Sequence, residues 1–431
     1  MFGWYVGIAA TLLAFFIYMA YFFKFNWVRD MRDEGKSHRN GGLGPKNRKV
    51  GKLPPVYPNG WFALLESSQI KRGQVKHVSA LGENFAVFRT EKDVVNILDA
   101  YCPHLGANMA EGGRVRGECL ECPFHSWSFR ADGYCDSIPY AEKVPHIART
   151  RAWKSCEVNH LIFVWYHAES AEPDWRPQPQ MCIANGKWRF QGRNEFLITC
   201  HVQDIAENGA DYAHLSAVHG PAMFLTDNIS WLARHSWTNA LWRPQCSYKS
   251  SETDADVDMD ADTEVQIKLN GSSIHAISSG DGNHLEITEK RAKHKAGIQL
   301  HHSLILFERF TVLGLNVSVE QIGPGYVEMM INTSFGPMCI LQTVTPLEPL
   351  LQRVTHQIFS PPWLAPYATM VFLGECLMFE RDIAIWNHKK YERQPTLVRE
   401  DRTILAYRRW YSQFYSANSP TYQTATNNLQ W

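Results

Sequence analysis

The sequence predicts an α+β protein carried on an apolar N-terminal helix, with a small all-β domain followed by a larger mixed domain. Three observations lead there. The first 23 residues carry no charged side chain. Short strand-like runs separated by turn residues fill the stretch up to His167, and beyond it strand-like and helix-like segments alternate. At 431 residues, with 45% hydrophobic and 13% aromatic content, the chain can bury a large core. The formal net charge is zero. A balanced surface without blocks of Lys or Arg gives no footprint for nucleic acid.

The opening run, MFGWYVGIAATLLAFFIYMAYFF, is long enough as a helix to cross a hydrocarbon layer of roughly 30 Å. A cleaved signal peptide would need a basic start and a small-residue cleavage site, and neither is clear here. Residues 1–23 are therefore expected to be a single-pass anchor. Lys24, Arg29, Arg32, Lys36 and Arg39 follow it and nothing basic precedes it, so the remainder is expected in the cytosol. Residues 24–55, polar, basic and rich in Gly and Pro, read as a juxtamembrane linker.

Residues 56–171 contain NFAVFRT, DVVNILDA and LIFVWYH, a pattern of small antiparallel sheets. The proline-containing EPDWRPQPQ then marks a boundary. Residues 181–413 combine helical segments near 201–218 and 362–391 with runs such as ISWLARHSW, NHLEITEKR and YVEMMINTSF, which predicts an α+β domain. Residues 414–431 read as a loose polar tail. The ten cysteines are spread too thinly for a disulfide framework and fit a reducing compartment or a metal site.

Four of the chemistry-bearing residues are crossed in an unusual way. Cys102 and His104 form C-x-H, Cys122 and His125 form C-x-x-H, and 17 residues separate His104 from Cys122. A Rieske two-iron, two-sulfur cluster needs two thiolates on one iron and two imidazoles on the other, so one of each from two loops satisfies it. Zinc is the alternative. Cys119, Cys122 and His125 make C-x-x-C-x-x-H, but that set leaves Cys102 and His104 over.

These loops resemble the Rieske family. Its respiratory and photosynthetic members carry an extra disulfide-linked cysteine in each loop, where this chain has Ala107 and Phe124. CPHLGA and CPFHSWSF are instead similar to the oxygenase branch, which implies a second, mononuclear non-heme iron held by two histidines and a carboxylate. ENGADYAHLSAVHG supplies His214 and His219, with a gap that requires the helix to loosen or end near Gly220. FERDIAIWNHKKY resembles the family segment providing the carboxylate and puts Asp382 at the matching place, with Glu380 as the alternative. The resemblance further implies that Asp211 accepts a hydrogen bond from a ligating histidine and bridges toward a cluster in a neighbouring subunit of a homotrimer. It places Asn208 close to the open iron position.

From Tyr57 to Tyr391, including PYAEKVPHIARTRAWKSCEV, the text is similar to the Neverland-type cholesterol 7-desaturases of animals and to bacterial ketosteroid hydroxylases. That implies a helix-grip-like antiparallel sheet in the catalytic domain, dioxygen as co-substrate and a sterol substrate dehydrogenated at C7–C8. Steroid hormone synthesis and the endoplasmic reticulum membrane are the expected setting. No Gly-rich dinucleotide fingerprint follows a strand, so NAD(P)H oxidation is expected on a separate reductase, with or without a ferredoxin. A hydroxylase of the same fold and a non-catalytic electron carrier are the rival readings. The acidic run Ser251–Val265 lacks the glycine of a calcium loop and reads as solvated. Sequons at Asn228, Asn270, Asn316 and Asn332 conflict with a cytosolic domain and are expected to be unmodified.

Overall fold

The computed structural model describes residues 2–32, 50–245 and 293–428. The acidic run Ser251–Val265, NHLEITEKR and Asn270 lie outside these residues. The N-terminal apolar run forms one helix, Phe2–Tyr21, whose side chains from Trp4 onward are nearly all exposed. It touches the rest of the chain at its C-terminal end, against the long helix Ala365–Trp386 and the turn Pro362–Leu364.

Residues 60–166 build an all-β domain from small antiparallel sheets. Strand Leu161–Tyr166 is buried along its whole length because it lies between Gly60–Glu66 and Ser155–Val158 while packing on the neighbouring domain. A separate sheet of four very short strands, running from Arg114 to Ser137, carries the second cysteine loop. The connector around Glu172–Gln180 has no regular structure, yet it is tied down. Trp61 donates its indole N–H to the Trp175 carbonyl at 2.7 Å, and Asn159 donates to Gln178 at 3.1 Å.

The larger domain is an eight-stranded sheet. Five strands between Lys295 and Ser360 form a continuous antiparallel meander, with Ala233–Pro244 on one side and Arg189–Thr199 on the other. Ala365–Trp386 lies against the Arg189–Thr199 end and buries Ala368, Phe372, Cys376, Phe379 and Ile383 at helical spacing. The helix Arg402–Tyr411 packs against the opposite edge, where Tyr407, Trp410 and Tyr411 meet Trp242. The cavity of the domain lies between these helices and the sheet.

Two expectations are corrected. Residues 24–55 are not linker from their start: Phe25–Asp30 is an edge strand, parallel to Arg189–Thr199, with Trp27 opposite Asn194. Phe25 and Trp27 turn inward while Asn26 and Val28 face out, a short strand alternation that the surrounding basic residues obscured. Residues 414–428 are not a loose tail either. Phe414 and Ala425 are buried, the Val56 amide donates to the Pro420 carbonyl at 2.9 Å, and Asn418 binds Glu169. A polar surface on a short segment masks a few anchor residues, Tyr422 and Ala425 on the β domain and Phe414 on the helix Arg402–Tyr411.

Candidate metal centres and substrate cavity

The two cysteine loops are folded alike. In one, the Cys102 amide donates to the Ala107 carbonyl at 2.9 Å and Gly106 donates to the Cys102 carbonyl. In the other, Cys122 donates to Trp127 at 2.8 Å and Ser126 donates to Cys122. Gly106 (φ 75°) and Ser126 (φ 57°) occupy equivalent left-handed positions. Glycine does this freely, whereas Ser126 is held in it by the turn.

This geometry sorts the four side chains by type. The thiols of Cys102 and Cys122 interact with each other, and the rings of His104 and His125 lie 4.8 Å apart. Sulfurs on one side and imidazoles on the other match the demand of a two-iron cluster with unlike ends. Burial, with the neighbouring Cys122, pushes the Cys102 thiol up to about 11, so a thiolate there needs a cation beside it. His104 Nδ1 is buried without a hydrogen-bond partner, a nitrogen left for a metal. Cys119 instead sits in a strand opposite Arg116, with its thiol toward Ser128. The residues present therefore fit a Rieske cluster. Leu105 (65% exposed) and Phe124 (60%) leave the loop tips apolar and open.

The second centre forms where a helix ends early. Tyr212–Val218 starts at Asp211, whose carboxylate accepts from the His214 amide at 3.2 Å, and stops at His219 as C-cap (φ −104°, ψ 11°). Ending there brings His219 round to His214, ring centroids 5.2 Å apart. A Cβ at residue 220 would lie 2.9 Å from the Ser216 carbonyl oxygen, which explains the glycine. From the long helix, Asp382 reaches His219 Nε2 at 3.3 Å. One donor atom from each of His214, His219 and Asp382 falls within 4.8 Å of the others, and this is the compact group of three that the described residues contain.

Donor chemistry fits a metal here. The ring Nδ1 of His214 donates to the backbone carbonyl of Asp211, leaving Nε2 as a lone pair. His219 Nδ1 is buried without a partner, and Asp382 is 7% exposed. Two imidazoles and one carboxylate suit non-heme iron.

Three assigned side chains are placed in detail by the same elements. Glu380 points away from the trio and accepts from Trp27 at 2.8 Å and Arg29 at 3.0 Å on the edge strand. The Asp211 carboxylate caps the helix, so the contact to the His214 ring comes from its backbone and not, as expected, from its side chain. Asn208 ends the helix Val202–Glu207 and lines the cavity.

Other residues of the site belong to no motif in the sequence. Arg381, beside Asp382, donates to the carbonyls of Pro221 at 2.7 Å and Met223 at 2.8 Å, clamping the loop after His219 onto the long helix. Arg381→Ala removes donors from these carbonyls, at about 1–3 kcal/mol each. It is expected to lower mononuclear iron content several-fold while the β domain keeps its spectrum. Metal analysis beside the visible absorption checks this.

Glu375 also lines the cavity, with His356 and Asn194 behind it. The Asn194 side-chain oxygen accepts both the His356 amide (3.0 Å) and its ring Nδ1–H (2.8 Å), since the amide can only donate. The Asn194 amide group then donates to Glu375 Oε2 at 3.1 Å. His356 Nε2 is left as an acceptor 3.4 Å from Glu375 Oε1. Burial pushes Glu375 up to about 8, and the Asp382 charge adds to this. Burial also pushes His356 down to about 3. The contact is therefore one between neutral groups, although its atoms are close enough for an ion pair. Around them the walls are apolar, with Trp237, Trp242, Leu300, Met329, Val344 and Phe379.

Comparison with known proteins agrees with this geometry. Residues 60–148 match the Rieske [2Fe-2S] domain model, and residues 164–415 match the 3-ketosteroid 9alpha-hydroxylase C-terminal domain. A cholesterol 7-desaturase of Ciona intestinalis is 40% identical over 95% of this chain and 82% of its own length. That of Drosophila melanogaster is 39% identical over 95% and 91%. The chain belongs to the cholesterol 7-desaturase family. Within it the chain is an oxidoreductase with a Rieske domain and a mixed α/β catalytic domain. A 3-ketosteroid-9-alpha-monooxygenase oxygenase component of Rhodococcus rhodochrous, described as probable, is 27% identical over 85% of the chain and 82% of its own length. Among solved structures, dicamba monooxygenase shares the fold, with TM-score 0.55 at 13% identity over 84% of this chain and 98% of that one.

Proposed function

We propose that this protein removes the hydrogens at C7 and C8 of cholesterol, giving 7-dehydrocholesterol. In the overall reaction two hydrogens leave the sterol, and with two electrons and two protons they reduce dioxygen to two waters. The observation that carries this reading is the buried trio of His214, His219 and Asp382 opening on an apolar cavity, in a chain 40% identical to a cholesterol 7-desaturase. Iron bound by the trio would supply oxygen activation, and a cluster on Cys102, His104, Cys122 and His125 would supply electrons. The remaining residues exclude water and position the ring system: Trp237, Trp242 and Phe379 offer flat faces to a rigid hydrocarbon. Asn208, at the cavity wall near His214, is assigned to the open coordination side.

Residues 56–171 and 181–413 act as the cluster and catalytic domains, the latter a helix-grip fold. The helix Phe2–Tyr21, uncharged and exposed along nearly all of Trp4–Tyr21, is read as a single-pass anchor in the endoplasmic reticulum membrane. Basic residues after it favour a cytosolic catalytic part. Electrons come from NAD(P)H through a separate reductase, with or without a ferredoxin. The exposed apolar tips at Leu105 and Phe124 suit burial against a second copy in a homotrimer, where the Asp211 carboxylate of one subunit would approach the cluster histidines of the next.

Purified protein, a reductase, NADPH and oxygen are expected to convert cholesterol to 7-dehydrocholesterol, and removal of oxygen to stop it. Stable 7-hydroxycholesterol as sole product would reassign the protein as a hydroxylase. The sequons at Asn228, Asn270, Asn316 and Asn332 are expected to remain unmodified in cells. A mobility shift on treatment with a glycan-removing enzyme would reverse the orientation.

A further inference from the structure

One level of the cavity differs from the rest. Gln321, Val327, Gln342, His356 and Asn194 stand directly opposite one another on five adjacent strands, so all but one position of this row is polar. The next row, Ile298, Val319 and Met329, is apolar. Glu375 meets the polar row from the helix side, beside His356 and Asn194. The 17% of its side chain that stays exposed belongs to the wall of the cavity.

Glu375 precedes Asp382 by two helical turns and shares its face, which sets the two about 10 Å apart along the axis. The polar row and the trio are thus at different levels of one cavity. A sterol is hydrocarbon apart from a single hydroxyl on its first ring, and the carbons to be dehydrogenated are on the second. The spacing matches a molecule that binds its hydroxyl at one level and presents a neighbouring ring at the other.

Hydrogen-bond accounting gives the same answer. With its Nδ1–H committed to Asn194, His356 offers a lone pair at Nε2, and Glu375 offers the O–H that this lone pair requires. At 3.4 Å that contact is longer than an optimal bond, so the pair can part at little cost to admit a partner that accepts from one and donates to the other. A hydroxyl does both. A ketone only accepts.

We propose that Glu375, positioned by Asn194 and His356, recognises the sterol's hydroxyl and thereby fixes which carbons reach the trio. This rests on the sterol reading above and extends it to a specificity-determining residue.

The test compares cholesterol with its 3-keto and 3-deoxy analogues on the full chain. Equilibrium binding by tryptophan fluorescence is measured beside kcat/KM. Wild-type protein is expected to prefer cholesterol to the deoxy analogue by about 100-fold, because a site built for a hydroxyl is left unpaired without it. Glu375→Leu should erase the preference, lowering cholesterol and raising the deoxy compound, because the carboxyl that the deoxy compound leaves unpaired is gone. Glu375→Gln, which still donates and accepts, should retain most of it. Unchanged melting and an unchanged Rieske EPR signal establish that each variant is folded. A Glu375→Leu protein that keeps the preference, or that loses binding of both compounds equally, overturns the assignment. If wild-type protein turns over no sterol yet binds cholesterol with the Glu375-dependent preference, the reaction is wrong and the recognition stands.

Discussion

Asp382→Ala and His219→Ala are each expected to reduce turnover by more than about 100-fold, beyond the 10–100-fold typical of residues that only orient a ligand. Both should lose mononuclear iron and keep the Rieske absorption and EPR signal, because the two ligand sets are on different domains. Glu380→Ala supplies the control. Its carboxylate is engaged by Arg29 and Trp27, so iron and activity should stay near wild type while the Phe25–Asp30 edge strand loosens. Loss of iron in Glu380→Ala with retention in Asp382→Ala would exchange the two roles.

Asp211→Asn is expected to keep both metals and slow turnover by about 10–100-fold, the range for residues around a metal site. The amide can still cap the Tyr212–Val218 helix, so the loss would report the side chain's role toward a neighbouring subunit and not helix unfolding. Mixing Asp211→Asn with His104→Ala subunits gives the larger effect. If electrons cross between subunits, some interfaces join an intact cluster to an intact iron site, and activity rises well above that of either variant alone. Mixed trimers, verified by differential tagging, that recover nothing would contradict transfer between subunits.

Much of the site was legible because its chemistry forces residue types close together in sequence. The crossed Cys-His pairs each belong to one tight turn, and His214 and His219 to one short helix with its end. Asp382 lies far along the chain, and only resemblance pointed to it. Asn194 and His356 come from separate strands whose register brings them opposite, which no local pattern encodes. Glu375 had a usable signal, an acidic residue seven before Asp382 on an apolar helix, and its meaning depended on those strands. The fold was misread where polar residues cover a few buried anchors, at Phe25–Asp30 and in the segment after Phe414. In both, tertiary packing outweighed a hydrophilic composition.

The most direct measurement follows both hydrogens and oxygen in one reaction. Cholesterol labelled with deuterium at C7 and C8 is turned over by the purified protein and a reductase under ¹⁸O₂, and the sterol products are weighed by mass spectrometry. The account predicts 7-dehydrocholesterol that has lost one hydrogen from each carbon and contains no ¹⁸O, with the label recovered in water. A sterol product that retains one ¹⁸O at C7 and its hydrogen at C8 would contradict it.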